Sequence, residues 1–443
     1  MTCFARFVGI TSVFLCIAVS SCQTQTHSAS QRMVVVISLD GFPAYDLENP
    51  KLPVPTLREL IKSGSWAKRM QPVNPTVTWP NHTTMVTGLF PRDHGLLFNG
   101  TLVRADNPLS VKVDPDIAKD RMVHVETLYD IAHNQGLTTA QVDWVAINDA
   151  STINWAFPEK AKPSDPLVAE MISKGVIDAE DVGAGGKPSI LWRDQIWTKA
   201  GAYIIREHKP NLLLFHLLSL DSTHHAYGPR TLASYDAIAF LDSCVKQLID
   251  ATRDAGLLDR TTFVVVSDHG FKAVSKDIHL NSLLAGNHFA AGVQAVPEGG
   301  SAMLYVEKAR QSELLPALHK LLSETEGVET VADEAQYQSL GLPSPAKDSQ
   351  APDLVAFAKP NYSFSGGKAG DPIISSVSPI IGSHGYLNTD DELDAIFVAS
   401  GFGIRPHVVL DKITNLSVAP TLAHLLSIKL PKTEAPALNG LLQ

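Results

Sequence analysis

The stretch MVVVISLDG, residues 33–41, decides how the rest of the chain is read. A run of apolar, mostly β-branched residues with no polar alternation suits a strand buried on both faces, as in a parallel sheet. Asp40 and Gly41 follow it directly. In an open α/β sheet ligands bind beyond the carboxyl ends of the strands, so an acid in that position is a candidate site residue.

The same form recurs further along. LLLFHLLSLD at 212–221 ends in Asp221, and TTFVVVSDHG at 261–270 carries Asp268 and His269. DAIFVASGFG at 394–403 reads as a late strand. Pro55 and Gly64 bracket a helix, proline suiting its first turn and glycine its end. Ile238, Leu241, Val245, Leu248 and Ile249 keep helical spacing in a longer one. Strands alternating with helices predict a doubly wound, mostly parallel α/β sheet. The segment from about 272 to 380 reads differently. SAMLYVE, SELLPALHKLLSE and PDLVAFA give strand, helix, strand, expected as a small α/β subdomain inserted into a catalytic domain spanning 32–443.

Composition bounds the function. The chain has 443 residues, 44% of them hydrophobic and 19% charged, which is globular rather than disordered material. A formal net charge of −10 argues against a polymeric nucleic acid as partner. A small phosphorylated ligand stays compatible with that charge, because a metal can supply local positive charge. Arg6 and the apolar run FVGITSVFLCIAV read as an export signal over residues 1–21. The following VSSC resembles the bacterial lipoprotein cleavage box. That resemblance implies a lipid anchor on Cys22, a tether over 22–31 and a periplasmic or cell-surface location. Cys3 and Cys16 leave with the signal, so Cys244 has no disulfide partner and is expected as an apolar filler.

The chemistry-bearing residues converge on paper. Asp40, Asp221, Asp268 and His269 all follow buried-strand patterns. His225 comes four residues after Asp221 in DSTHHAYGP, and His384 sits between small residues in IGSHGY. Three aspartates and three histidines suffice for two zinc sites of the catalytic kind, each with an open position. Paired metals suit in-line displacement at phosphorus. His224 is the more ambiguous half of the histidine pair, and His82 and His94 read as loop supports. NPTVTWPNHTTMVTG at 74–88 supplies a nucleophile: a threonine held between prolines at a helix start, where backbone N–H groups face an anion. Sequons fall at Asn81, Asn99, Asn361 and Asn415. A lipoprotein of bacterial type would leave them without sugar, so those asparagines need another reading.

SLDG, PTVTWPNH followed by VTGLFPRDHGLLFN, DSTHHAYGP, SDHGF and GSHGY resemble, in order, the motifs of the nucleotide pyrophosphatase/phosphodiesterases of the alkaline phosphatase superfamily. The resemblance implies an alkaline phosphatase-like fold and two Zn2+ ions. One zinc would be held by Asp221, His225 and His384, the other by Asp40, Asp268 and His269 with the Thr78 hydroxyl. It implies that Thr78 is the nucleophile, Thr76 is structural, and Asn99 donates its amide to a phosphoryl oxygen. Trp79 and His216 stand where nucleotide-hydrolysing members have phenylalanine and tyrosine that help hold the base. Both are thus expected to bind substrate, with His216 putting nucleotide preference in question. The function expected is an exported phosphodiesterase or pyrophosphatase. A phosphomonoesterase, a phosphonoacetate hydrolase, a relative specific for glycerophosphodiesters or choline phosphate, and a metal-binding surface lipoprotein are the alternatives. The sequence says nothing of oligomeric state.

Overall fold

The computed structural model describes residues 1–2, 32–106, 108–183, 189–368 and 370–443. The export signal, Cys22 and the tether lie outside the described residues, apart from residues 1–2. Among the described residues no helix is long and apolar enough to cross a membrane.

An eight-stranded sheet forms the centre. From one edge it runs Val409–Thr414, Ser65–Gln71, Ala395–Gly401, Thr261–Val266, Met33–Leu39, Leu212–Leu217, Thr139–Val142, Trp155–Phe157. Strand Ala395–Gly401 runs antiparallel to both neighbours; the remaining pairings are parallel. The apolar runs are continuous because both faces are covered. Val35, Ile37 and Leu39 face one core layer with Leu213, Phe215 and Val265, beneath helices Pro55–Ser63, Ile190–Tyr203 and Leu232–Asp254. Val34 and Val36 face the other with Leu212, Leu214 and Val264, beneath helices Thr78–Thr87, Leu128–Asn134 and Val418–Leu426. Cys244 is fully buried in the first layer.

Register places the site. Ser38 pairs with His216 on one side and with Val266 on the other. Asp40 and Asp268, each two residues beyond that row, therefore leave the sheet at the same edge.

Between 272 and 383 two further sheets appear. Val293–Glu298, Ser301–Val306, Leu354–Ala358 and Val328–Ala332 form an antiparallel sheet with helix Gln311–Glu324 packed on it. Lys272–His279 is flanked by Asn361–Ser365 and Ile374–Ser383, and this three-stranded sheet delivers His384 to the central edge. That sheet and the hairpin Thr101–Asp106/Leu109–Asp114 were not anticipated from sequence.

Candidate active site

Helix Thr78–Thr87 begins at Thr78, after Val77 in extended conformation. The loop before it is stapled from within. Asn81 accepts the Val73 N–H at 2.8 Å and donates to the Pro75 and Val77 carbonyls at 2.9 Å. Asn415 donates to the same Asn81 side chain at 2.8 Å. Two sequon asparagines are thus buried structural groups. Thr76 is fully buried and its hydroxyl donates to the Tyr386 carbonyl at 2.8 Å. Thr78 is buried to 7% exposure, and its Oγ1 lies 3.4 Å from His269 Nε2.

Three histidines are aimed by their backbone partners. Nδ1 of His384 lies 2.9 Å from the Thr76 carbonyl, that of His225 3.2 Å from the Gly382 carbonyl, and that of His269 3.2 Å from the Gly270 carbonyl. A carbonyl on Nδ1 fixes that nitrogen as the donor and leaves Nε2 with a lone pair. Those Nε2 atoms face carboxylates. His225 Nε2 is 3.4 Å and His384 Nε2 3.8 Å from Asp221 Oδ1. His269 Nε2 is 3.2 Å from Asp268 Oδ2 and 3.6 Å from Asp40 Oδ1. The His269 and His384 rings stack at 3.9 Å, which joins the two groups.

The second oxygens of the inner carboxylates are tied down. Asp268 Oδ1 accepts the Gly41 and His269 N–H groups at 3.1 and 3.0 Å, and Asp40 Oδ2 faces His216 Nε2 at 3.0 Å. Asp194 accepts the Leu218 and Ser219 N–H groups at 3.1 and 2.9 Å, capping the helix that carries Asp221 and His225. Sequence reasoning missed Asp194, which lies mid-helix with no local signal.

Asp40 Oδ1, Asp221 Oδ1 and Asp268 Oδ2 are buried and make no hydrogen bond. Three unpartnered carboxylate oxygens beside three imidazole lone pairs would be costly in a site without a cation. Burial and the like charges of Asp268 and Asp221 push the Asp40 carboxyl well above its usual range. Burial and neighbouring imidazoles bring His269 to about 4 and His384 to about 3, leaving them neutral. Burial pulls His225 down, but Asp221 outweighs it and raises the ring. The donor set fits divalent cations of the zinc kind, which take imidazole nitrogen and carboxylate oxygen. Ligand atoms of Asp221, His225 and His384 lie within 4.8 Å of one another, as do those of Asp40, Asp221 and His269. Asp221 thus stands between the groups, with Asp268 alongside the second. The first is open, its His225 side chain 44% exposed, while Asp40, Asp268 and His269 are fully buried.

Asn99 accepts the Trp79 N–H at 3.0 Å through its carbonyl oxygen, which leaves its amide nitrogen on the other limb of an exposed side chain. Trp79 packs against Leu96, Met122, Val123 and Ala146 and keeps a partly exposed face. His216 departs from expectation. It is fully buried between Asp40 and Asp143, so its ring presents no surface to a substrate. Its strand position points it under the site floor. His224 stays outside both ligand groups, with Nδ1 3.1 Å from the Gly41 carbonyl. His82 lies between the Thr78 carbonyl and Ser38 Oγ at 2.9 Å each, and His94 Nε2 is 3.1 Å from Thr84 Oγ1.

Residues 34–387 match the family described as type I phosphodiesterase / nucleotide pyrophosphatase. Ectonucleotide pyrophosphatase/phosphodiesterase family member 1 of Homo sapiens is 29% identical over 257 residues, 56% of this chain and 25% of that protein. The Rattus norvegicus counterpart is 26% identical over 420 residues, 92% of this chain and 42% of that protein. The chain therefore spans less than half the length of these relatives. A murine ectonucleotide pyrophosphatase / phosphodiesterase 5, solved as an inactive threonine-to-alanine variant in complex with AMP, superposes with a TM-score of 0.72 at 21% identity. That match covers 93% of this chain and all of the murine one, a likeness of fold.

Proposed function

The chain belongs to the type I phosphodiesterase / nucleotide pyrophosphatase family, and on that premise we propose that it is a two-zinc hydrolase of phosphodiester or nucleotide pyrophosphate bonds that works through a phosphothreonine intermediate. The observation that carries this reading is the set of unpartnered Asp40, Asp221 and Asp268 oxygens gathered with three histidine Nε2 atoms beside the Thr78 hydroxyl. Asp221, His225 and His384 would hold one zinc; Asp40, Asp268 and His269 the other. Bound there, zinc supplies positive charge at the phosphoryl group and lowers the pKa of a hydroxyl beside it.

The chain's own residues do the rest. Thr78 Oγ1 gives up its proton to solvent and attacks phosphorus, the bond to the leaving oxygen breaks, that oxygen takes up a proton from solvent, and a Thr78 phosphoester forms. Water then attacks the same phosphorus, the Oγ1–P bond breaks, and Thr78 regains its proton. The Asn99 amide would face the non-bridging oxygens, where charge develops; in the first helical turn the Trp79 N–H is taken by Asn99, the Asn81 N–H by Val77, and Pro80 has none. The exposed face of Trp79 offers an apolar wall for one ester substituent. The AMP found with the murine relative supports a nucleotide as one such substrate.

The test is zinc content measured together with turnover of bis-p-nitrophenyl phosphate. Two zinc ions per chain and turnover lost on chelation are expected; a metal-free protein that turns over the diester equally well overturns the reading. We also infer export and a lipid anchor, supported by the apolar run after Arg6 and the VSSC box alone. Cys22→Ser in the full chain should move the protein from the membrane fraction to the soluble one, and an unchanged distribution removes the anchor.

A further inference from the structure

His216 stands in a made-to-measure place that the reaction as described leaves without a task. Its Nε2 faces Asp40 Oδ2 at 3.0 Å. Its Nδ1 faces the Asp143 carbonyl at 3.0 Å and Asp143 Oδ2 at 3.2 Å. Every partner around the ring is an oxygen acceptor, so each nitrogen is set to donate. The ring is held in plane by contact with His82 at 4.5 Å, and His82 is held in turn by Trp144 at 4.9 Å, both edge-on.

The loop that brings Asp143 here is itself constrained. Asp143, Ala146 and Asp149 all have positive φ, at 54°, 54° and 56°. Three non-glycine residues in that region within seven positions is an uncommon concentration, and such backbone persists where surrounding contacts over-determine it. The contacts are present: Asp143 N–H donates to the Phe157 carbonyl at 2.8 Å and Trp144 N–H to Gln141 Oε1 at 3.0 Å.

Asp40 shows what this arrangement does. One of its oxygens accepts from His216, and the other, Oδ1, is left unpartnered 3.6 Å from His269 Nε2. A carboxylate free to rotate would exchange its two oxygens; one held through Oδ2 offers a single, oriented ligand atom. We propose that His216 and Asp143 form a buried clamp that fixes Asp40 with Oδ1 aimed at the inner metal position, making both positioning residues for that metal. This inference rests on the two-metal reading above. It removes His216 from the substrate wall, leaving Trp79 as the side chain next to the nucleophile that faces an ester group.

The test compares wild type, His216→Phe, His216→Gln and Asp143→Asn by zinc titration against a chromophoric chelator, with cobalt spectra reporting coordination. His216→Phe keeps ring volume and loses the donor; His216→Gln keeps a donor near the Nε2 position. Loss of such an outer partner typically weakens metal binding about 10- to 100-fold. That loss is expected at the inner position only in His216→Phe, with the open position unchanged, most of it recovered in His216→Gln, and a smaller loss in Asp143→Asn. Inner-site affinity at the wild-type value in both His216→Phe and Asp143→Asn overturns the clamp. So do unchanged metal affinities with a KM that shifts between esters, which would return His216 to substrate binding. Should His216→Phe not fold, wild-type affinity in Asp143→Asn still overturns it. A wild-type protein that takes up no zinc overturns the metal-site reading, and the clamp with it.

Discussion

The hydroxyls of Thr76 and Thr78, two residues apart, go to different places. That of Thr76 is spent on the Tyr386 carbonyl, while Thr78 Oγ1 lies by His269 among the candidate ligands. Under the phosphothreonine reading, Thr78→Ala should lower kcat by about a thousandfold or more with metal content kept, since nothing else in the site would replace the nucleophile. Thr76→Ala should lose about 1 kcal/mol of stability, one buried neutral hydrogen bond, and keep turnover within an order of magnitude. Steady-state kinetics on one diester, with denaturant midpoints, checks both; the reverse pattern would exchange their roles. If Asn99 donates to the developing charge as proposed, Asn99→Ala should cost about 100- to 1,000-fold in kcat with metal content unchanged. Wild-type rates in that variant would return Asn99 to a turn residue that caps the Trp79 N–H. Which residues meet was legible at this scale for the acids and histidines that follow buried strands, because strand ends share an edge. The use of Asp194, Asn81 and His216 was not. Each acts through a side-chain direction set by register against a strand or loop remote in sequence, and no local pattern encodes that.

Among the elements, the central strands announced themselves because burial on both faces demands an unbroken apolar run. The sheet of Lys272–His279, Asn361–Ser365 and Ile374–Ser383 did not, although it leads into His384, a candidate ligand. Its pairings join segments roughly a hundred residues apart, and its outer strand, Ile374–Ser383, buries only its last two residues, so neither spacing nor hydrophobicity marks it. His384 depends on the turn that follows this strand. Gly385 has φ of 90°, and a Cβ added there would lie 1.8 Å from the Glu298 carbonyl oxygen. Backbone atoms on that side cannot swing away as a flexible side chain would. Gly385→Ala should therefore destabilise the protein by roughly 1–3 kcal/mol, the range for a strained backbone position. Because the displaced residue adjoins His384, zinc binding at the open position should weaken more than at the buried one. Denaturant unfolding and stepwise zinc titration would show both; wild-type behaviour in each would mean that the turn does not hold the ligand.

The whole molecule bears on which phosphoryl group is preferred. Its formal net charge is −10, so the long-range field opposes every anionic substrate, and a doubly charged one more than a singly charged one. Attraction must come from the site. There, under the two-zinc reading, three carboxylates against two divalent cations leave about one positive charge before Thr78 ionises. Asn99 adds a neutral donor rather than a second cation. A diester carries one negative charge on its non-bridging oxygens, and a monoester carries up to two near neutral pH. Trp79 adds a further distinction, since only a second ester substituent, or the base of a nucleotide, can use its exposed face. A higher kcat/KM is therefore expected for p-nitrophenyl esters of nucleoside monophosphates than for p-nitrophenyl phosphate on one zinc-loaded preparation. Two dependences separate the causes. Raising salt from about 0.01 to 0.15 M shortens the screening length from about 30 to about 8 Å, which relieves the repulsion of the dianion more than that of the monoanion. The diester advantage should shrink accordingly, if long-range charge contributes to it. Trp79→Ala should shrink it at every salt concentration, if the ring packs on the second substituent. A monoester hydrolysed as efficiently as the diester at low salt would contradict both arguments and make the protein a phosphatase built on a diesterase frame.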